Sequence, residues 1–227
     1  MKIIARIHTD FSSKFGIPRQ SGLADTRGVI VFEPEYRNMD ALKGIEQYSH
    51  LWIIWEFSES ICETWRPTVR PPRLGGNKRV GVFATRSPFR PNPLGLSCVK
   101  LEQIQETKDK GYVLVVSGAD MLDGTPIYDI KPYLPYVDSH VDARGGFAEE
   151  RKNACLEVII PAEWEELIPK SHQDIIRQLL AQDPRPSYQN DHLRIYGMEY
   201  AGMDIRFRVE EDNLVVCEVI HMNKSGQ

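Results

Sequence analysis

Between Arg66 and Lys100 the chain carries eight Lys or Arg residues and not one Asp or Glu. The formal net charge of the 227-residue chain is −4, so with those eight charges set aside the remainder sums to −12. Positive charge gathered so tightly in an acidic chain points to an anionic partner. Pro67, Pro71 and Pro72 alternate with Arg66, Arg70 and Arg73. Proline fixes φ and keeps its neighbour out of the helical region, so the guanidinium groups are held on an extended backbone. Guanidinium forks meet phosphate oxygens two at a time, and Trp65 and Phe89 offer faces on which bases stack. The chemistry expected is a grip on a polyanion, RNA first, with Arg66, Arg70, Arg73, Lys78 and Arg90 as contacts. The same stretch also reads as a solvated loop, or through its Arg-Pro-Pro-Arg run as a polyproline ligand.

A second group of reactive side chains runs from Asp120 through Asp123, Asp129 and Asp138 to His140. Asp123-Gly124 has turn chemistry. Asp120, Asp129 and Asp138 present carboxylates at strand ends, able to take a proton or hold a ribose hydroxyl, or else only to cap turns. These acids are mixed with Lys131 and Pro132 at no recognisable ligand spacing, so no metal site is expected. Asp138-Ser139-His140 is too common a tripeptide to establish a hydrolase. Cys62, Cys98, Cys155 and Cys217 form no CxxC and read as reduced, partly buried small hydrophobes; Cys98 has no His or Asp close by in sequence to make it a nucleophile. Gly75-Gly76-Asn77 and Asn92-Pro93-Leu94-Gly95 permit close backbone approach. Neither fits GxGxxG or GxxxxGK[ST], which speaks against a dinucleotide fold and a P-loop.

Short apolar runs rich in Val, Ile, Trp and Phe must position these groups. Strands are expected at 2–7, 28–32, 50–57, 79–84, 96–104, 112–118 and 156–160, with one short helix, 39–48, capped by Asn38. Many strands and few helices predict a mainly β protein whose N-terminal part is an antiparallel barrel or sandwich. From Pro161, apolar residues recur at helical spacing up to Leu180, and three strand-like runs follow with turns at Ala201-Gly202 and Asp212-Asn213. The division expected is a barrel at 1–160 and a smaller α+β domain at 161–227, one helix plus a three-stranded meander. The longest apolar run, Leu51 to Trp55, is far short of the roughly 20 residues that span a bilayer. With Asp10 so early in the chain no secretory leader is expected, and the reading is cytoplasmic.

The blocks FGIPRQSGL, HLWIIW, WRPTVRPPRLGGNKRVGVFATRSPFRPNPLGLS, LDGTPIYDIKPYLPYVDS and AQDPRPSY, spread over most of residues 1 to 200, resemble the TsaA-like (YaeB/TrmO) family of bacterial tRNA methyltransferases. The resemblance implies S-adenosyl-L-methionine as cofactor and methylation of N6 of threonylcarbamoyladenosine, next to the anticodon of threonine tRNAs. It also implies a donor-binding N-terminal barrel and a homodimer. Carried over by position, the donor contacts are Pro18, Arg19 and Gln20, Ser58 and Glu59, Arg86, Leu96, and Asp123, Gly124, Thr125 and Pro126. Asp183 to Tyr188 would lie toward the active site, with Arg185 joining the grip on the anticodon stem-loop. Methyl transfer is an in-line displacement that rests on positioning, and an anticodon loop already exposes its bases. The acceptor nitrogen must lose a proton, for which Asp138 or Tyr188 is the candidate catalytic residue. A non-catalytic RNA-binding barrel is the alternative.

Overall fold

The computed structural model describes residues 1–62, 64–71, 74, 78–151, 155–185, 191 and 193–222. In chain order the elements are β1 (Ala5–Thr9), β2 (Arg27–Phe32), β3 (His50–Glu56), β4 (Thr68–Val69), β5 (Val80–Gly81), β6 (Leu94–Thr107), β7 (Gly111–Ser117), β8 (Thr125–Pro132), α1 (Pro135–Asp138), β9 (Glu157–Ile159), α2 (Ala162–Glu165), α3 (Lys170–Ala181), β10 (Tyr196–Tyr200), β11 (Met203–Glu210) and β12 (Asn213–His221). Six strands close into a barrel in the order β1-β2-β7-β6-β3-β8, every neighbouring pair antiparallel. The period-2 pattern decides which side chains go in: along β3, Leu51, Ile53 and Trp55 are buried while Trp52 and Ile54 face outward.

No strand is expected from the sequence at the closing strand β8, and Asp129, placed there at a strand end, lies within it. Pro126 and Pro132 near its ends and Asp129 and Lys131 between them mask the alternation, yet Ala5 pairs with Ile127 and Ile53 with Ile130 to seal the barrel. The helix expected at 39–48 is instead two 3-10 turns, Met39–Leu42 and Ile45–Gln47, separated at Gly44, whose φ is 84°. Asn38 does cap the first, its side chain accepting the Asp40 N–H at 2.9 Å. Of the strand expected at 79–84 only Val80–Gly81 pairs, with β4, and a 3-10 turn follows at Val82–Ala84.

The meander β10-β11-β12 is present, extended by β9, which runs parallel to β12. The run at 156–160, read together with the barrel, therefore supplies a fourth strand to the C-terminal sheet. The single helix expected from Pro161 is broken at Pro169 into α2 and α3, and α3 buries Ile175, Ile176, Leu179 and Leu180 against the sheet.

Two apolar cores result, one inside the barrel and one between α3 and the C-terminal sheet. The segment between β1 and β2 belongs to both units. Phe11 is fully buried in the C-terminal core, its ring 5.1 Å from that of Tyr200. Gly16 has φ 92°, and a Cβ there would sit 2.5 Å from Met198. Asp25 donates its N–H to Gln178 Oε1 at 2.7 Å, and the Gln178 amide returns a bond to Asp25 at 2.9 Å. The loop carrying Pro18, Arg19 and Gln20 is thus seated by the C-terminal sheet and α3.

Candidate active site

The site is built on β6 and its neighbours. Gly95, Ser97 and Val99 point into the barrel, while Leu96, at 56% exposure, is on the outer face. Gly95 carries no side chain because Trp55 lies across it: a Cβ would fall 2.2 Å from the indole. The Trp55 indole N–H donates to Ser97 Oγ at 2.9 Å, and the Ser97 hydroxyl donates to Asp120 Oδ1 at 2.6 Å. Asp120 stands just after β7 and also accepts the backbone N–H of Ser21, close to the Arg86 guanidinium. Burial pushes its carboxyl up to about 6, against the opposing pull of Ser97, the backbone N–H groups and Arg86. Arg86 in turn donates to Gln20 Oε1, and the Gln20 amide donates to the Arg19 carbonyl. Ser21 Oγ accepts the Cys98 N–H at 3.0 Å, tying this loop to the outer face of β6.

Asp138 completes that face. Its Oδ2 accepts the Leu134 N–H at 2.8 Å and the Trp52 indole N–H at 3.0 Å. These two donors, the backbone one foremost, hold its carboxyl below the ordinary carboxylate range. Trp52 is opposite Cys98 in the β3–β6 ladder. Burial and the negative charge of Asp138 push the Cys98 thiol up, so it stays protonated and is a poor nucleophile.

The other expected contacts are distributed around this cluster. Glu59 is fastened to the Pro18–Gln20 loop through Lys14, whose Nζ donates to the Glu59 carbonyl at 2.7 Å and lies 3.2 Å from its carboxylate; Ser58 opens the same 3-10 turn. Asp123, Gly124, Thr125 and Pro126 turn into β8 and are held by a different set of partners on β1. Asp123 Oδ1 accepts the Thr9 N–H at 3.1 Å and lies 3.1 Å from His8 Nδ1, and the Gly124 carbonyl accepts from Arg6. Thr125 and Pro126 are buried, leaving Asp123 as the exposed side chain of that turn.

Asp183, at φ 48°, accepts from Arg19 through its carbonyl at 3.1 Å, so the C-terminal segment does reach the Pro18–Gln20 loop. Arg185 makes a two-pronged pair with the Asp183 carboxylate at 2.8 and 3.0 Å and keeps only 11% of its side chain exposed, which ties up the guanidinium expected to face RNA. Tyr188 and Arg73 lie outside the described residues, as do Gly75, Gly76 and Asn77. Arg66, Arg70 and Lys78 are exposed, with no ion-pair partner among the described residues. Arg90 differs, since it donates to the carbonyls of Val82 at 3.1 Å and Thr85 at 2.7 Å and lies 5.6 Å over the Phe83 ring, clamping its own loop. Phe83, read from sequence as part of a strand, is 70% exposed with its ring 5.9 Å from that of Trp65, and Phe89 is 53% exposed. Beside the basic residues there is thus an aromatic surface of Trp65, Phe83 and Phe89.

Ser21, Trp52, Trp55 and Ser97 were not singled out from the sequence, and Asp120 was weighed there only as one carboxylate among several. Ser21, Trp52, Trp55 and Ser97 fall within the blocks that carry the resemblance, but their roles depend on partners distant in the chain.

Known proteins resemble the chain throughout. The model of the tRNA-methyltransferase O N-terminal domain matches residues 6–139, and that of the TrmO C-terminal domain matches residues 153–222. A tRNA (adenine(37)-N6)-methyltransferase of Escherichia coli is 42% identical over 217 residues, 92% of each chain. A protein of Pseudomonas aeruginosa named putative S-adenosylmethionine-dependent methyltransferase RcsF is 40% identical over 225 residues, 93% of each chain. The crystal structure of TrmO from P. aeruginosa superimposes with a TM-score of 0.77 at 34% identity, covering 96% of this chain and 94% of that one. With both family models matched in order on the barrel and the C-terminal sheet, the chain belongs to the tRNA-methyltransferase O family.

Proposed function

We propose that this chain is an S-adenosylmethionine-dependent tRNA methyltransferase acting on N6 of adenosine 37, and that its substrate is the threonylcarbamoyl form of that nucleoside in threonine tRNAs. The observation that carries the reading is a guanidinium, an amide, a carboxyl and an exposed leucine (Arg86, Gln20, Asp120 and Leu96) on the barrel that also bears a basic arm with Arg66 and Arg70 exposed. That donor set fits a ligand that is zwitterionic at one end and a purine nucleoside at the other. When bound, S-adenosylmethionine supplies an electrophilic methyl group on a positively charged sulfur.

The chain's own residues then position and screen. Arg86 and Gln20 brace one another, so neither must be ordered when ligand arrives. Leu96 offers the apolar contact and Asp123 the carboxylate suited to a ribose hydroxyl. Asp138 enters as an anion with Oδ2 occupied and Oδ1 accepting no hydrogen bond among the described residues, arranged to accept and orient the acceptor N–H; its lowered proton affinity suits it to orientation more than to keeping the proton. Tyr188 is the remaining candidate for that proton. Arg66, Arg70 and Lys78 grip the backbone, and Trp65, Phe83 and Phe89 offer stacking faces.

The N-terminal barrel, whose last strand ends at Pro132, is the donor-binding domain, and the C-terminal unit, which begins with β9 rather than at residue 161, seats the Pro18–Gln20 loop. No helix among the described residues is long and apolar enough to cross a membrane. The enzyme works in the cytoplasm as a homodimer, for which Tyr136, Val137 and Val141, all exposed close to Asp138, provide apolar contact surface. Mass spectrometry of tRNA nucleosides from a deletion strain tests the function: one methylated threonylcarbamoyl nucleoside should vanish and return when this chain is supplied. Calorimetry with S-adenosylmethionine should give saturable heat, whereas a chain that binds tRNA and ignores the donor would be a non-catalytic RNA-binding barrel.

A further inference from the structure

We propose that Asp120 binds the amino-acid end of the methyl donor, its carboxylate pairing with the donor's α-ammonium while Arg86 takes the adjacent α-carboxylate. The inference rests on the donor-binding reading above and adds a residue to it.

The hydrogen-bond chain behind Asp120 has a fixed direction. An indole N–H can only donate, so Ser97 Oγ must accept from Trp55, and the hydroxyl proton is left for Asp120 Oδ1. Trp55 is 4% exposed and locked against Gly95, and Ser97 is 1% exposed, so the chain is rigid. Such a chain fixes Oδ1 and so sets the orientation of the whole carboxyl. The charged group facing Asp120 is Arg86, from the loop after β5; Ser21 brings a backbone N–H from the β1–β2 loop, and Ser97 and Trp55 bring neutral donors from β6 and β3. Cys98 lies on the outer face of β6, and Asp138, at the end of α1, is held to the outer face of β3 through Trp52.

Arg86 does not neutralise Asp120 fully, because its guanidinium is exposed and hydrogen bonded to Gln20. The carboxyl is accordingly left up at about 6 despite Ser97, Ser21, Arg86 and its own backbone N–H. An enclosed carboxylate with incomplete compensation is a site for a cation. A carboxylate and a neighbouring guanidinium that form no ion pair with each other are complementary to an ammonium and a carboxylate borne on a single carbon, which is the amino-acid end of S-adenosylmethionine. The rest of that ligand is a nucleoside, for which Leu96 supplies an apolar contact.

The test is isothermal calorimetry of the wild-type chain, Asp120→Asn and Ser97→Ala with three probes: S-adenosylmethionine, S-adenosylhomocysteine, which lacks the sulfonium charge, and 5′-methylthioadenosine, which lacks the amino-acid end. Asp120→Asn should weaken the first two by roughly 10- to 100-fold, as expected for a lost charged hydrogen bond, and leave the third unchanged. Ser97→Ala keeps the carboxylate but frees it to turn, and should show the same ligand pattern with a smaller loss. Wild-type affinity for S-adenosylhomocysteine should fall as pH drops through about 6, where Asp120 takes up its proton, and the fall should be absent in Asp120→Asn. Loss confined to S-adenosylmethionine would mean that the carboxylate meets the sulfonium and would overturn the proposal. Equal loss for all three probes would assign Asp120 a purely structural role and overturn it too. If wild-type protein binds none of them, the donor-binding reading itself fails.

Discussion

Gly95→Ala probes the packing on which the donor side of the site stands. A Cβ at that position would lie 2.2 Å from Trp55 Cε2 and 2.5 Å from Cζ2. Carbon atoms rest about 3.5–4.0 Å apart, so the indole must retreat by roughly 1.3 Å. It has little room to do so, being 4% exposed within the barrel core. Overpacking of this kind costs about 1–3 kcal/mol, and the displaced indole gives up its bond to Ser97 for about 1 kcal/mol more. The sum, about 2–4 kcal/mol, corresponds to a fall in melting temperature of about 5–15 °C for a chain of this size. Gly81→Ala is the matched control: no atom lies within 4 Å of its Cβ position, φ is −58°, and the change should stay within about 0.5 kcal/mol. Thermal unfolding followed by circular dichroism reads both, and donor calorimetry at a temperature where each is folded reads the site. A Gly95→Ala protein that melts within about 2 °C of wild type would refute the claim that Trp55 holds Ser97 and Asp120 in place.

Gln20→Ala and Arg86→Ala should each raise the donor Kd roughly 10-fold, and because the two side chains brace one another the double variant should lose less than the product of the single losses; multiplicative losses in calorimetry would count against the coupling. Arg66→Ala combined with Arg70→Ala should weaken tRNA binding and lower the salt slope by about 1.4–1.8 while donor affinity is unchanged, and an unaltered slope in a salt titration would remove these residues from the RNA grip. Asp138 has a carboxyl held below its ordinary value, so its stabilising contribution is present above the unfolded pKa and is lost as pH falls through the folded one. Asp138→Asn should therefore lose less stability than wild type as pH falls below about 4, the ordinary aspartate value, and parallel acid-unfolding curves would contradict the donors assigned to Trp52 and Leu134.

Much of the barrel is legible in the sequence because alternation is a property of neighbouring residues. Leu51, Ile53 and Trp55 announce an inward face without reference to anything else. β8 is not legible in that way, since its prolines and charges look like loop, and it becomes a strand by filling the gap between β1 and β3. The break at Pro169 illustrates the opposite error: the apolar spacing on either side is helical, and one proline divides it. In the site, residue types are visible but partners are not. Arg66 and Arg185 are the same side chain in similar proline-rich company, yet Arg185 is held by both carboxylate oxygens of Asp183, two residues before it. Arg90 likewise is spent on the carbonyls of its own loop.

Asp120 and Asp138 show how one residue type is driven to two tasks. Two N–H donors, from Leu134 and Trp52, make Asp138 a settled anion, able to orient a neighbour at neutral pH. Enclosure makes Asp120 the reverse. Its rise from 3.8 to about 6 corresponds to about 3 kcal/mol by which the fold disfavours the ionised form. Between those values the folded chain binds more protons than the unfolded one, so stability declines as pH rises through that window. At neutral pH the free protein therefore carries a penalty at Asp120 that a cationic ligand relieves. The melting temperature gained on adding saturating S-adenosylhomocysteine should consequently be larger at pH 7.5 than at pH 5, and in Asp120→Asn the two gains should be equal. A wild-type gain that is the same at both values would mean that the carboxylate and the ligand do not meet.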